Sequence, residues 1–389
     1  MIYIDPPYNT GKDFIYKDNF RDNIANYKEI TSQTTKANPE TNGRYHTDWL
    51  NMMYPRLKLA RNLLTNDGVI FISIDDSEVE NLKKISNEIF GENNFIANIV
   101  WERAYSPVNL KKHFSENHDF VLCYSKNIDL CKCNGLKRDE DANSRYKNLD
   151  NDPRGKWKSS DLSVGPIIKE KVYEITTPSG RKVMPPKGYC WRLSKERFQE
   201  YIDDNRIWFG EDGNNVPSIK RFLSEVKTTV TPMTIWKYTE VGHSQSATQK
   251  LKNLFDDKSC FNYPKPVDLI KRMIELYSDD ESIILDFFSG SATTSHSIMQ
   301  LNFEDKGLRK FIMVQLPEKI DEKSEAYKAG YKNICEIGKE RIRRAGDKIV
   351  SENKDKEGIE NLDIGFKVFK LECNRGGENY STMNLPRKN

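Results

Sequence analysis

Apolar positions along this chain follow two patterns, short unbroken runs and a three-to-four-residue stripe, and both fade in the middle. The chain opens with the run Ile2, Tyr3, Ile4, which reads as a short buried strand ending at Asp5. Between 46 and 64, Trp49, Met53, Leu57, Ala60 and Leu64 recur on one helical face. Asn66, Asp67 and Gly68 mark a turn, and residues 69–74 are the apolar run of a buried strand. A helix up to Phe90 follows, with Asp76 or Ser77 as its cap. Two further strands are predicted at 96–101 and 120–125. The alternation returns near 260. Val267, Ile270, Met273, Ile274 and Tyr277 share a helix face, and a buried strand covers 283–286. A loop containing Gly290 leads into a helix to about 302, followed by a strand at 310–315. A long helix then runs through Ile334, Ile337, Arg341, Ala345 and Ile349. Strands and helices alternating at this spacing predict an α/β sheet covered on both faces.

Three stretches escape both patterns. Residues 11–42 are polar, rich in Asn, Thr and Lys, and read as a long mobile loop or lid. Residues 127–240 break into short β-like pieces, such as 172–177 and 228–231, with no long amphipathic helix. Residues 376–389 carry no periodicity and are expected to fray. No apolar run approaches the roughly 20 residues that span a bilayer.

Composition narrows the class. With 37% apolar and 31% charged residues, the chain is not of the disordered type. Seven cysteines without a basic leader point to a reducing cytoplasm. Cys131 and Cys133 are too close for a usual zinc pair and have no second pair nearby, so no metal is expected. A net charge of +3 decides little, but its distribution is informative. Residues 151–200 hold 11 Lys and Arg against 6 Asp and Glu. Trp157, Tyr173, Tyr189, Trp191 and Phe198 are interleaved among them. Basic side chains spaced by aromatics suit a DNA-facing surface, with Arg154, Lys156, Lys158, Arg181, Lys182 and Lys187 as candidate contacts. The alternative is a solvated, loop-rich insert with a small core of its own.

Two loops carry candidate chemistry. In the first, Asp5-Pro6-Pro7-Tyr8, the prolines stop sheet pairing and fix the following carbonyls. An acid, a rigid carbonyl and a projecting ring can grip a flat heterocycle that bears an exocyclic amino group. A strand ending in a proline turn is also a common edge device, so the tetrad alone does not settle the matter. In the second, Asp286 ends a strand, Gly290 permits a close turn, and a helix N-terminus supplies free N–H groups. One glycine does not make G-x-G-x-x-G, which argues against NAD.

Together these loops resemble a β-class DNA amino-methyltransferase, in which the tetrad precedes the S-adenosyl-L-methionine loop and the recognition region lies between them. The runs 1–13, 49–57, 69–76, 262–266, 286–302 and 311–318 resemble more narrowly the modification (Mod) subunit of type III restriction systems. That resemblance implies a Rossmann-like methyltransferase sheet with an inserted, loop- and β-rich target-recognition region. It divides the chain into a catalytic half (1–126), the insert (127–240), a cofactor half (241–350) and an extension (351–389). It implies methylation of adenine N6 in double-stranded DNA, with Asp5, Pro6, Pro7 and Tyr8 holding a flipped base. Asp286, Phe288, Gly290 and Ser291 would line the methionine part of the cofactor, with Lys265 closing over it and Gln315 or Glu318 gripping the ribose. A homodimer with a restriction (Res) subunit is the implied assembly, in a bacterial cytoplasm. Ala292 stands where the broader class often has glycine. Family members usually carry a segment before the tetrad, and 363–369 resembles the opening of a further C-terminal region, so a shortened chain is expected at both ends. Cytosine N4 as the target, where Ser is commoner than Asp5, and a non-catalytic DNA-binding remnant are the rival readings. RNA or protein-glutamine methylation fits less well, since those relatives carry Asn at that position and the opposite loop order.

Overall fold

A computed structural model of the chain describes residues 1–10, 43–107, 109, 111–138, 140–372 and 379–383. The loop or lid expected over 11–42 lies outside the described residues. The chain divides into two compact units, Gly135–Pro232 and the remainder on either side of it.

The larger unit is built on a seven-stranded sheet. Its strands are β1 (Ile2–Ile4), β2 (Val69–Ile74), β3 (Phe95–Glu102), β4 (His118–Ser125), β5 (Ile235–Trp236), β6 (Ile283–Asp286) and β7 (Lys310–Met313). Their spatial order is β5-β3-β4-β2-β1-β6-β7. β4 runs against its neighbours β2 and β3, and the other pairings are parallel. All six residues of β2 are buried, as an unbroken apolar run requires when both faces are covered. Helices α1 (Gly43–Leu63), α2 (Val79–Phe90), α3 (Ser244–Leu254), α4 (Val267–Tyr277), α5 (Thr293–Asp305) and α6 (Ile334–Glu352) complete the unit. The stripe read on α1 is its buried face: Trp49, Met53, Leu57 and Ala60 join Ile4, Ile70, Ile72 and Leu82 in one cluster.

Strand order positions the site. From β1 the chain crosses through α1 to β2 on one side; from β6 it crosses through α5 to β7 on the other. Right-handed crossovers in opposite directions put α1 and α5 on opposite faces and open a crevice beyond the carboxyl ends of β1 and β6. Each of the two candidate loops leaves one of those ends.

Several local expectations need correction. Neither Asp76 nor Ser77 caps α2: Glu78 holds the cap position without a side-chain cap bond, and Asp75 accepts from the Ser77 N–H instead. The Glu78 carboxylate is committed elsewhere, as described below. The main sheet also claims β5, two residues long and too short to show a period. The predicted strand at 172–177 contracts to Ile175–Thr176, paired with Lys182–Val183. The one at 228–231 contracts to Thr229–Val230, paired with Leu136–Lys137. Residues 376–389 are not frayed throughout, because Asn379–Met383 pairs antiparallel with Val368–Glu372.

The smaller unit centres on an antiparallel sheet of Ile207–Trp208, Ser218–Phe222 and Trp157–Asp161. A nine-residue helix, Lys195–Asp203, starts at Ser194, whose hydroxyl accepts from the Arg197 N–H. Leu162, Ile175, Trp191, Phe198, Ile207 and Ile219 form its core. Beside that core, the fully buried Lys220 ammonium pairs with Asp150 and stands 3.5 Å from Asp152.

Candidate active site

The tetrad loop begins where β1 stops. Lys265, between Pro264 and Pro266 just ahead of α4, donates from its ammonium to both Asp5 carboxylate oxygens at 2.7 Å each. The Tyr8 hydroxyl donates to Asp5 Oδ1 at 2.9 Å, and Lys265 Nζ lies 4.8 Å from the Tyr8 ring centroid. Burial and the Asp5 charge both raise the pKa of the Tyr8 phenol, so it stays protonated. From α1, the Trp49 indole donates to the Pro7 carbonyl at 2.7 Å. Among the described residues, none donates to the Pro6 carbonyl. Asn9 takes the left-handed conformation, with φ of 57°, and its amide donates to the buried Glu78. The same carboxylate meets His46 Nδ1 at 2.6 Å and accepts from Asn81 at 2.9 Å. Glu78 thus pins the far end of the loop, which is why it does not cap its own helix.

The glycine loop leaves the neighbouring strand. Asp286 is 2% exposed; Oδ1 accepts from the Phe288 N–H at 3.1 Å and Oδ2 from the Thr294 hydroxyl at 2.6 Å. Burial pushes its carboxyl up to about 7, against the pull of those two bonds. Gly290 has φ of +49°, and a Cβ there would stand 3.2 Å from the Phe261 ring. Its N–H donates to Gln315 Oε1 at 2.7 Å. Ala292, at φ of 61°, starts α5 in the left-handed region that favours glycine.

Behind this loop stands Arg341 of α6, 3% exposed, which donates to the Ser291 hydroxyl at 2.8 Å and the Thr293 hydroxyl at 2.7 Å. Burial lowers its guanidinium to about 9. Gly338, one turn earlier, faces the same loop: a Cβ there would stand in van der Waals contact, 3.4 Å from the Gly290 carbonyl. Beyond β7, Gln315 reaches toward Glu318 Oε1 at 3.4 Å. Glu318 Oε2 is buried and has no hydrogen-bond partner among the described residues, and burial pushes this carboxyl up to about 7. An orphaned buried acceptor beside a glycine cradle is the arrangement that a hydroxyl-bearing ligand would satisfy.

The two loops share one centre. Tyr8 and Phe288 pack on the same cluster around Ile4, Trp49 and Ile72. A further acid faces the same region. Asp119 on β4, paired with Arg103 at 2.9 Å, is pushed up to about 6 by burial, against the pull of Lys265 and Arg103. Lys265, expected among the cofactor residues, turns its ammonium to the tetrad. Asp286 uses its carboxylate on its own loop. Glu78, Trp49, Asp119 and Arg341 were not singled out as site residues in the sequence, although Trp49 opens one of the recognisable runs. A buried acid on a helix and a buried base beneath a loop have no linear signature.

The basic candidates of the smaller unit separate into two groups. Arg154 is committed to Asp152 at 2.8 Å and Asp204 at 3.2 Å, and stacks on Phe222. Arg181 donates to the Asn214 carbonyl, and Lys182 pairs with Glu174 at 2.8 Å. Lys156, Lys158 and Lys187 are exposed. Lys158 lines a cavity of about 490 Å³ together with Arg145, Lys147 and the rings of Trp157 and Trp208, which meet at 58°.

Comparison with known proteins adds a family. A model of the DNA methylase family of N6 and N4 methyltransferases matches residues 1–345. The Mod subunit of the type III restriction-modification enzyme StyLTI of Salmonella typhimurium is 35% identical, over 95% of this chain and 56% of its own length. That of EcoP15I of Escherichia coli is 31% identical over 95% and 61%. The type II methyltransferase M.KpnI of Klebsiella pneumoniae is 31% identical over 89% and 82%. The chain therefore spans rather more than half the length of these two type III relatives.

Proposed function

This chain belongs to the N6/N4 DNA methylase family, and from that membership we propose that it transfers a methyl group from S-adenosylmethionine to adenine N6 in double-stranded DNA, as the modification component of a type III restriction-modification system. The observation that carries the reading is the junction at β1 and β6, where an amino-group grip and a glycine cradle open into one crevice. When bound, S-adenosylmethionine supplies a methyl group already activated by its sulfonium. The residues present fit such a cofactor: Gly290 keeps the cradle open where a side chain would press on Phe261, and the orphaned Glu318 oxygen offers an acceptor for ribose hydroxyls. Arg341 holds the loop beneath through Ser291 and Thr293.

The protein's own part in the reaction is alignment. The lone pair of adenine N6 is delocalised into its ring. Hydrogen bonds from the amino group to the Asp5 carboxylate and the Pro6 carbonyl favour a pyramidal nitrogen with its lone pair directed at the methyl. The Pro7 carbonyl is occupied by Trp49, which leaves Pro6 for the base. A base in a stacked duplex cannot reach this pocket, so it must be flipped out, and the Tyr8 ring replaces the lost stacking. The unit Gly135–Pro232 supplies the sequence-reading surface, with Lys156, Lys158 and Lys187 as its exposed cations and Arg154 held by Asp152 and Asp204. A restriction subunit, a second copy of this chain and a bacterial cytoplasmic setting complete the proposal. Among the described residues, no helix is long and apolar enough to cross a membrane.

The test is transfer of tritiated methyl from S-adenosylmethionine to DNA by the full chain, followed by nucleoside analysis. Label on N6-methyladenine that disappears in Asp5→Ala is the expected result. Label on N4-methylcytosine would replace the adenine reading, and unabated transfer by Asp5→Ala would remove Asp5 from the chemistry.

A further inference from the structure

Lys265 covers both the Asp5 carboxylate and the Tyr8 ring. Its side chain is only 11% exposed, against 27% for Asp5. Its ammonium donates to both oxygens of Asp5 at 2.7 Å and sits over the Tyr8 ring, 4.8 Å from the centroid. A flipped adenine would use the same two features, the carboxylate as acceptor of its amino hydrogens and the ring face as stacking surface. Both cannot be present together.

We propose that Lys265 is a resident placeholder for the target amino group, which closes the base pocket until an amino-bearing base displaces it. The inference rests on the reading of the tetrad as a base grip and adds how that grip is kept and released. Without Lys265 this half-buried carboxylate would keep only the Tyr8 hydroxyl as a donor among the described residues, so a second donor stabilises it while the pocket holds no base. Lysine suits the task because its ammonium is a point charge on a flexible stem that can swing away without moving backbone. Pro264 and Pro266 fix the main chain on either side. Asp5, once uncovered, discriminates. A base that presents an exocyclic amino group returns donors to Asp5, whereas one that presents a carbonyl sets acceptor against carboxylate and leaves the lost ion pair uncompensated. Lys265 is in this sense a positioning residue, since it acts through Asp5.

The experiment uses the full chain and DNA in which the methylated adenine, located from the product, is replaced by the fluorescent 2-aminopurine, which lacks the 6-amino group. Lys265→Met keeps the stem and removes the charge. Its 2-aminopurine emission on binding should rise above the parental level, and its affinity for the 2-aminopurine DNA should rise about tenfold, because no ion pair has to be broken to admit the base. Lys265→Arg grips Asp5 with a two-pronged fork and should shift both readouts the other way. Emission and affinity unchanged in both variants, or moved in the same direction in both, would overturn the placeholder. The base-grip reading fails by a different sign, namely parental methylation by Asp5→Ala. A melting curve on each variant separates loss of fold from loss of gating.

Discussion

The two loops at the crevice are built on opposite principles. In the tetrad loop, the polar groups are held from far away in sequence: Asp5 by Lys265, the Pro7 carbonyl by Trp49, Asn9 by Glu78. In the glycine loop, they are held mostly from within or beneath: Asp286 by Phe288 and Thr294, Gly290 by Gln315, Ser291 and Thr293 by Arg341. The first set centres on an ion pair with some solvent access, which can exchange partners. The second is buried and tied by backbone geometry, which cannot. On the proposed reading, one loop is a grip that opens and the other is a fixed cradle. Substitutions in the first should remove turnover and spare the fold, whereas those in the second should weaken the fold and cofactor binding together.

Asp5→Ala should have the largest effect. Methyl transfer is expected to fall by about 10²–10³-fold or more, as for loss of one preorganised polar contact at a reacting atom. Calorimetry should find S-adenosylmethionine binding close to parental. Arg341→Met comes next. It strips two bonds from buried hydroxyls, and chemical denaturation should show a loss of roughly 2–4 kcal/mol together with weaker cofactor binding. If stability fell with no change in cofactor affinity, Arg341 would be structural only. Gly290→Ala forces a side chain into left-handed backbone against Phe261, and should cost roughly 1–2 kcal/mol by the same assay.

The smallest effect is on pH dependence. Burial raises the folded-state pKa of Asp286 and Glu318 to about 7 and of Asp119 to about 6. For an acid with a raised folded pKa, the protonated form is favoured on folding. Its contribution is therefore complete below the ordinary carboxylate range and is lost as pH rises through the folded value. Thermal stability should decline as pH rises from about 4 to 7. Asp286→Asn, which cannot ionise, should flatten that decline by a few degrees, or roughly 1 kcal/mol. An unchanged slope would mean that Asp286 is already ionised at pH 6.

How much of this was legible in the sequence follows the same division. The sheet and its helices were readable because β2 is an apolar run and α1 carries its buried face as a stripe through Trp49, Met53, Leu57 and Ala60. Both candidate loops were readable because proline and glycine punctuate strand ends. What holds each loop was not readable. No period connects Lys265 to Asp5 across 260 residues, and a helix-start acid such as Glu78 looks like a cap until Asn9 is seen to need it. The smaller unit was the least readable. Its strands are often two residues long, and its interior mixes aromatic residues with the buried Lys220 and Asp152, so hydrophobicity marks only part of it. The same feature explains why Arg154 read as a surface cation, although Asp152, Asp204 and Phe222 engage it.

The division between grip and cradle is tested most directly by single-turnover methyl transfer with labelled S-adenosylmethionine bound beforehand at saturating concentration. Under those conditions Gly290→Ala should recover a rate near the parental one, since its defect is in holding the donor. Asp5→Ala should stay slower by about 10²-fold or more, since its defect is at the acceptor. Recovery of Asp5→Ala to the parental rate, or failure of Gly290→Ala to recover once the donor is saturated, would contradict the assignment of one loop to each half of the reaction.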